Sequence, residues 1–170
     1  SLRSPTVAVG YDNRLTSPSL ADGLIAGIRS AGVDVVDVGT VPTPVLYWSE
    51  VTLGADAGVQ NTGSHNPPEW NGIKMTHGGS SLYGDAIQDL LRSINESDFT
   101  SGSGGYERVA VLDRYVDDIA GRFNLERPMR VAVDCGNGTG SILAVRLLEA
   151  IGVEVTPLFC ESDPTFPNHH

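Results

Sequence analysis

The sequence predicts an α/β fold with a mixed or mostly parallel sheet and flanking helices, followed by the start of a second domain of similar topology. Short apolar runs such as residues 6–10 and 131–133 are typical of buried parallel strands. Apolar residues recur at helical spacing between such runs. The segments 31–35 (AGVDV) and 151–155 (IGVEV) are similar. We interpret this echo as two related domains, with chance likeness between buried strands as the alternative.

The first domain is predicted to hold four strands and three helices. The strands are expected at residues 6–10, 33–38, 57–60 and 73–75. Ser17 is expected to cap the first helix, with Pro18 in its first turn and Gly32 past its end. Thr43-Pro44 begins a second helix. The third helix is amphipathic through Ile87, Leu90, Leu91 and Ile94.

A polar, glycine-rich stretch at residues 97–105 (SDFTSGSGG) indicates a linker or flexible loop. We therefore predict a first domain at 1–109, lacking its first strand and helix, and the opening portion of a second domain at 110–170. That portion is expected to contain a buried strand at 131–133, a strand at 153–158 and two helices. The apolar positions of those helices are Tyr115, Val116, Ile119, Phe123, Leu143, Leu147, Leu148 and Ile151.

Two strands do not make a closed core, so the chain is expected to be a piece of a larger protein. Its formal charge of −10 repels phosphate backbones and anionic lipid, so neither nucleic acid nor membrane is an expected partner. No apolar run reaches the length of a membrane span, and no signal peptide is evident at the start. Two cysteines, Cys135 and Cys160, are too few for a disulfide framework or a zinc site. These observations predict a cytoplasmic protein.

The stretch 62–74 (TGSHNPPEWNGIK) holds the residues most suited to chemistry. Gly63 and the Pro67-Pro68 pair predict a loop with a fixed backbone that presents Ser64. Lys74 follows on the next strand. A lysine and a histidine near a serine favour a serine that accepts phosphate, because both can donate charge-assisted hydrogen bonds to phosphoryl oxygens. A serine-hydrolase triad is disfavoured, because His65 adjoins Ser64 and no nucleophile elbow is present. The alternative is a proline-rich turn with a solvated histidine.

This stretch resembles the active-serine loop of the α-D-phosphohexomutases, most closely the bifunctional phosphomannomutase/phosphoglucomutase branch. The family pattern is Thr-Ala/Gly-Ser-His-Asn-Pro followed by Asn-Gly-x-Lys. Its fixed positions are Thr62, Gly63, Ser64, His65, Asn66, Pro67, Asn71, Gly72 and Lys74. The segments 38–44, 133–138 and 166–170 resemble the same branch, so the terminal histidines are expected to be native.

The resemblance implies an isomerase that moves phosphoryl groups within hexose phosphates of mannose or glucose. Ser64 would be phosphorylated, and a hexose 1,6-bisphosphate would be both the intermediate and the activator. Lys74 would be a general acid/base and His65 a catalytic neighbour of the phosphoserine. Arg14 and Asn66 would bind substrate or phosphate. Mg²⁺ would bind the phosphate on Ser64 and three aspartates outside this chain.

The chain departs from the family pattern in ways that bear on function. No Asp-Gly-Asp occurs in it, so the 170 residues alone are expected to be inactive. Tyr11 stands where the family has an arginine. Residues 134–140 (DCGNGTG) also fit a glycine-rich turn of S-adenosylmethionine-dependent methyltransferases. That reading, and a non-catalytic phosphate-binding module, are the alternatives. The preferred sugar and the oligomeric state are left open.

Overall fold

The computed structural model describes residues 4–168 and contains two separate sheets. The elements are β1 (Thr6–Tyr11), α1 (Ser17–Ser30), β2 (Asp34–Thr40), α2 (Thr43–Thr52), β3 (Ala57–Asn61), β4 (Ile73–His77), β5 (Ser80–Ser81), α3 (Asp85–Glu96), β6 (Tyr106–Arg108), α4 (Leu112–Ala120), β7 (Met129–Asp134), a short 3₁₀ helix (Thr139–Ile142), α5 (Ala144–Ala150) and β8 (Val153–Leu158). Every predicted strand and helix is present. The terminal residues His169 and His170 lie outside the described residues.

The larger sheet has six strands in the order β5-β4-β3-β1-β2-β6. The strands β3, β1, β2 and β6 run parallel, while β4 and β5 form an antiparallel edge. The smaller sheet pairs β7 with β8 in parallel. This arrangement confirms the predicted mixed, mostly parallel α/β fold.

Two apolar clusters cover the two faces of the six-stranded sheet. One packs Val9 and Val35 against Ile25 of α1. The other packs Ala8 of β1 against α2 and α4, and also includes Leu143, which precedes α5. Because the second cluster takes residues from both sides of the predicted boundary at 109/110, the two parts of the chain share buried surface. The division at that position stays a prediction.

The segment 97–105 forms a loop without helix or strand, as predicted, and it packs on the end of α1. The amide of Gly102 donates to Ser30 O at 2.7 Å and that of Gly104 donates to Arg29 O at 2.8 Å. A Cβ on Gly104 would lie 1.8 Å from Val33 O. The glycines therefore permit close packing on the end of α1. The segment leads into β6, a strand that the sequence did not predict.

Three local expectations are wrong. Ser17 does not cap α1, because Thr16 holds the N-cap position and the Ser17 hydroxyl donates to the Asp12 carboxylate. Phe123 lies beyond α4 and is exposed. The strand β7 is half-exposed rather than buried, because among residues 4–168 its two-stranded sheet packs mainly against α5. Gly32, at φ +84°, does lie just past the end of α1 as expected.

The helix α3 is amphipathic as predicted but has no buried residue. Leu90, Leu91 and Ile94 are exposed, so its apolar side is open to solvent. No helix within residues 4–168 is both long and apolar enough to cross a membrane.

Candidate active site: a clamped serine loop

The serine loop, residues 62–72, joins β3 to the antiparallel strand β4. The amide of Thr62 donates to Gly72 O at 2.8 Å, which closes the base of the loop. Inside it, the amide of Asn66 donates to Gly63 O and that of Trp70 donates to Pro67 O, each at 3.0 Å. These turns leave little freedom to the backbone on both sides of Ser64.

A buried carboxylate holds the start of the loop. Asp12 follows β1, and its Oδ2 accepts hydrogen bonds from the Thr62 hydroxyl at 2.9 Å and the Gly63 amide at 3.1 Å. Its Oδ1 accepts from the Arg14 amide and the Ser17 hydroxyl. Asp12 thereby ties the loop to the end of β1 and the start of α1.

Arg14 holds the middle of the loop from its buried position. Its Nε donates to Asp12 Oδ2 at 3.0 Å. Its Nη1 donates to Pro67 O and Trp70 O, and its Nη2 donates to Ser64 O and Asn66 O, at 2.6–3.1 Å. These five bonds use all five N–H groups of a guanidinium. Its donors are thus engaged by Asp12 and the loop backbone, and the expectation that Arg14 binds phosphate stays a prediction.

Two backbone features explain the residue types at the tip. A Cβ on Gly63 would lie 2.5 Å from the Arg14 guanidinium and 2.6 Å from Trp70 O, so any larger residue there requires these groups to shift. Ser64 has φ of +54°, in the left-handed region that residues other than glycine rarely adopt. The bonds to Asp12 and Arg14 hold this unfavourable conformation in place.

The Ser64 side chain is exposed and faces an open cavity of about 460 Å³. Its Oγ lies 3.2 Å from Nδ1 of His65. The cavity is lined by Arg14, Ser64, His65, Asn66, Pro67, Pro68 and Phe166. The structure therefore brings together four of the predicted site residues around one hydroxyl group.

Lys74 is placed differently. It lies on β4 opposite Gln60, two residues beyond the loop, and it is exposed. It is not part of the cavity wall formed by the described residues. The structure thus leaves the predicted acid/base outside the cavity that Ser64 faces.

The second part of the chain docks onto the turn beside the serine loop. The amide of Asn13 donates to Thr139 Oγ1, and its side-chain amide donates to Asn137 O and Ser162 Oγ. Thr139 Oγ1 donates back to Asn13 Oδ1 at 2.9 Å. The glycine-rich turn 134–140 thus has a structural partner, and nothing supports the methyltransferase alternative.

Phe166 completes this contact. Its ring lies 5.3 Å from the Arg14 guanidinium carbon, within cation–π range. Asp12 holds the serine loop, Asn13 binds the turn 134–140 and Phe166 lines the cavity, and the sequence alone predicted no role for these three residues. The D-x-R spacing directly after a buried strand is a signal for Asp12, whereas the contacts of Asn13 and Phe166 depend on tertiary packing.

Tyr11, the departure from the family pattern, contacts Arg108 at the end of β6. This hydrogen bond and the nearby Asp37 carboxylate raise the pKa of Arg108. Nη1 of Arg108 lies 3.2 Å from Oδ2 of the buried Asp37. Tyr11 therefore joins an ion pair at the edge of the sheet instead of the serine cavity.

The described residues do not complete a magnesium site. Within 4–168, no group of three or more histidine, cysteine, aspartate or glutamate side chains is arranged to hold a metal ion. Ser64 carries an exposed oxygen, but Mg²⁺ demands a nearly octahedral set of oxygen ligands. This part of the chain therefore does not fit a metal site by itself.

Comparison with known proteins gives a consistent result. Residues 2–101 match the family model for phosphoglucomutase/phosphomannomutase alpha/beta/alpha domain I, and residues 113–170 match that for domain II. A phosphomannomutase/phosphoglucomutase of Pseudomonas putida is 48% identical over 98% of this chain, and a phosphoglucomutase of Neisseria meningitidis is 43% identical over 96%. The chain spans 36% of the length of each.

A solved structure from Burkholderia thailandensis has the same fold. It is described as a phosphoglucomutase/phosphomannomutase family protein, and it is 46% identical with a TM-score of 0.93. The alignment covers 98% of this chain and 38% of that one. Together with the matches to both domain models, this similarity shows that the chain belongs to the phosphoglucomutase/phosphomannomutase family.

Proposed function

We propose that this chain supplies the phosphoryl-accepting serine of an enzyme that interconverts hexose 1-phosphates and hexose 6-phosphates. The observation that carries the proposal is the geometry of Ser64. Its hydroxyl is exposed to a cavity, while Arg14 and Asp12 fix the backbone that bears it. A nucleophile held in one position spends less entropy on reaching the transition state.

The proposed step transfers one phosphoryl group. Ser64 Oγ attacks a phosphorus atom of a hexose 1,6-bisphosphate, and the bond from that phosphorus to the sugar oxygen breaks. The hydroxyl proton leaves Ser64, and the sugar oxygen gains a proton. Reversal with the other end of the sugar completes the isomerisation. His65, 3.2 Å from Oγ, is placed to hold the hydroxyl proton in the resting state.

Lys74 is proposed as the acid/base for the departing sugar oxygen. Because it lies outside the cavity wall, its long side chain must swing toward the loop, or substrate must approach from the β4 side. Asn66 is proposed to contact substrate phosphate from the cavity wall. Arg14 is proposed as a positioning residue.

The cofactor, the substrate class, the compartment and the domain boundaries are also proposed. Mg²⁺ is the proposed cofactor, with the phosphate on Ser64 as one ligand and the others supplied by residues outside this chain. The relatives differ in their names, one phosphomannomutase/phosphoglucomutase and one phosphoglucomutase, so the proposed substrate class is phosphates of mannose or glucose. The proposed compartment is the cytoplasm, and the proposed domains are 1–109 and 110–170.

Phosphoprotein analysis tests the proposal. A full-length polypeptide containing this chain is incubated with labelled glucose 1,6-bisphosphate, and its intact mass and phosphopeptides are measured. We expect one phosphate on Ser64 and none on the Ser64→Ala variant. Ser101→Ala, an exposed serine on the segment 97–105, is the matched control and should keep the phosphate. Phosphate at another residue of Ser64→Ala, with normal turnover, would overturn the assignment.

A further inference from the structure

The two cysteines of the chain lie together at one end of the smaller sheet. Cys135 directly follows β7, and Cys160 follows β8 by two residues. Their Sγ atoms are 3.0 Å apart, with both thiols free. The serine cavity uses neither residue, so the proximity of these thiols is not explained by the proposed phosphoryl transfer.

The backbone on both sides fixes this proximity. Asp134 pairs with Leu158 at the end of the parallel ladder, and the Cys135 amide donates to Leu158 O at 3.1 Å. The Cys160 thiol lies 3.4 Å from Val133 O and 3.3 Å from Leu158 O. The two sulfur atoms are thus held by the strand ends and not by a mobile loop.

We propose that Cys135 and Cys160 form a redox-active dithiol, which a disulfide oxidant of the glutathione class converts reversibly into an intrachain disulfide. A disulfide bond is about 2.0 Å long, so the sulfur atoms need to approach by roughly 1 Å, a movement that side-chain rotation supplies. The proposal does not depend on the assigned function of Ser64.

The exchange balances in two steps. The Cys160 thiolate attacks one sulfur of the oxidant, breaks its S–S bond and releases one thiol. Cys135 then loses its proton, attacks the Cys160 sulfur of the mixed disulfide and releases the second thiol. Two protein thiols are oxidised, and one small-molecule disulfide is reduced to two thiols.

Access to Cys160 and the raised pKa of Cys135 favour this order. Cys160 lines an open cavity of about 400 Å³ beside Val145 and Pro157, where an oxidant can enter. Burial, with a smaller effect of Cys160, raises the pKa of the Cys135 thiol to about 11. Cys135 is therefore a poor nucleophile toward an external oxidant at neutral pH and reacts only in the second, intramolecular step, which we expect to be slow.

The disulfide would close the base of the turn that docks onto the first domain. Between the two cysteines lies Asn137, whose carbonyl accepts from Asn13 and whose side-chain amide donates to Glu161 O. Oxidation would thus constrain the strand ends that carry this contact. The redox state of the two cysteines is expected to set how rigidly the glycine-rich turn 134–140 is held.

A redox titration tests the proposal. The 170-residue chain is equilibrated with buffers of increasing oxidised-to-reduced glutathione ratio, quenched with acid and analysed by intact mass and thiol alkylation. Since the chain has two cysteines, a monomer that has lost two hydrogen atoms can contain only this disulfide. We expect the folded chain to form this disulfide at a ratio of oxidised to reduced glutathione at least about tenfold lower than the chain unfolded in urea. Dithiothreitol should reverse the oxidation.

Single variants supply the matched controls. Cys135→Ser should gain one glutathione on Cys160, Cys160→Ser should gain it more slowly on Cys135, and neither variant should lose a hydrogen pair as a monomer. Wild-type chain that carries glutathione on one or both cysteines, without the intrachain bond, would overturn the proposal. So would two fully alkylatable thiols at every ratio, or equal titrations of the folded and urea-unfolded chain. The native-against-urea comparison decides even if a serine variant fails to fold.

Discussion

Arg14 donates a hydrogen bond from Nη2 to the carbonyl oxygen of Ser64 at 3.1 Å. The backbone of the exposed serine is therefore held by a buried arginine that follows the first strand. The same guanidinium binds three further carbonyls of the loop and the Asp12 carboxylate. The conformation of the loop is thus coupled to the core of the first sheet.

Replacing Arg14 should destabilise the chain strongly. Arg14→Ala leaves the buried Asp12 carboxylate without its charge partner and four loop carbonyls without donors, so we expect a loss of about 3–5 kcal/mol in free energy of unfolding. Urea denaturation measures it. Arg92→Ala, which removes an exposed ion pair with Asp89, is the control and should cost less than about 1 kcal/mol. Similar losses in the two variants would show that the clamp is not a buried charge network.

Gly63→Ala should disturb the loop through overpacking. The new Cβ would lie 2.5 Å from the Arg14 guanidinium carbon, so we expect about 1–3 kcal/mol of destabilisation and a slower phosphorylation of Ser64. Gly27→Ala in α1 is the control, because no atom lies within 4 Å of its Cβ position. At that exposed position of the helix, alanine should stabilise by up to about 1 kcal/mol. Wild-type stability of Gly63→Ala would contradict the packing described.

The contact between Asn13 and Thr139 should show measurable coupling. A double-mutant cycle with Asn13→Ala and Thr139→Val isolates the hydrogen bond from Thr139 Oγ1 to Asn13 Oδ1, because Asn13→Ala keeps the backbone amide that donates to Thr139. We expect an interaction energy of about 0.5–3 kcal/mol in the free energy of unfolding. Purely additive effects would mean that the second part of the chain does not depend on this turn for docking.

Lys74→Met should separate acid/base chemistry from phosphate acceptance. In a full-length enzyme, turnover should fall about 10²–10⁴-fold, the usual contribution of a positioned acid or base. Labelling of Ser64 by a bisphosphate should persist. A coupled rate assay and intact mass measure the two effects. Turnover at the wild-type rate would remove the role assigned to Lys74 and leave that of Ser64 intact.

The Trp48 side chain should control the titration of Asp118. Its Nε1 donates to Asp118 Oδ2 at 2.6 Å, and this bond, followed by that from Arg122, lowers the carboxyl pKa below its ordinary value of 3.8. The stabilising effect is therefore present above pH 3.8 and lost as pH falls through the lower, folded-state pKa.

Trp48→Phe should raise the Asp118 pKa, measured by carboxyl NMR. The control is Asp163, whose pKa is lowered by the hydroxyl and amide of Thr165, and it should not change. An unchanged Asp118 titration in Trp48→Phe would assign the shift to Arg122 instead.

Local patterns in the sequence were enough to predict the order of most strands and helices and the position of the serine loop. Strands such as β1 could be predicted because buried parallel strands carry runs of apolar residues, which are visible locally. The loop was predictable because the two prolines restrict the backbone whatever surrounds them, while Gly63 permits a conformation that other residues resist. The family resemblance then gave Ser64 its expected role.

Tertiary structure decided what each polar residue does. Folding turns the Arg14 guanidinium toward five acceptors within the chain, a placement that no local pattern indicated. The segment 97–105 has the composition of a flexible linker, yet its glycines let it pack on α1. The docking of Asn13 on Thr139 joins residues far apart in the chain. Such contacts depend on where the strands place each group in space, because a hydrogen-bonding side chain has no intrinsic preference among partners of equal chemistry.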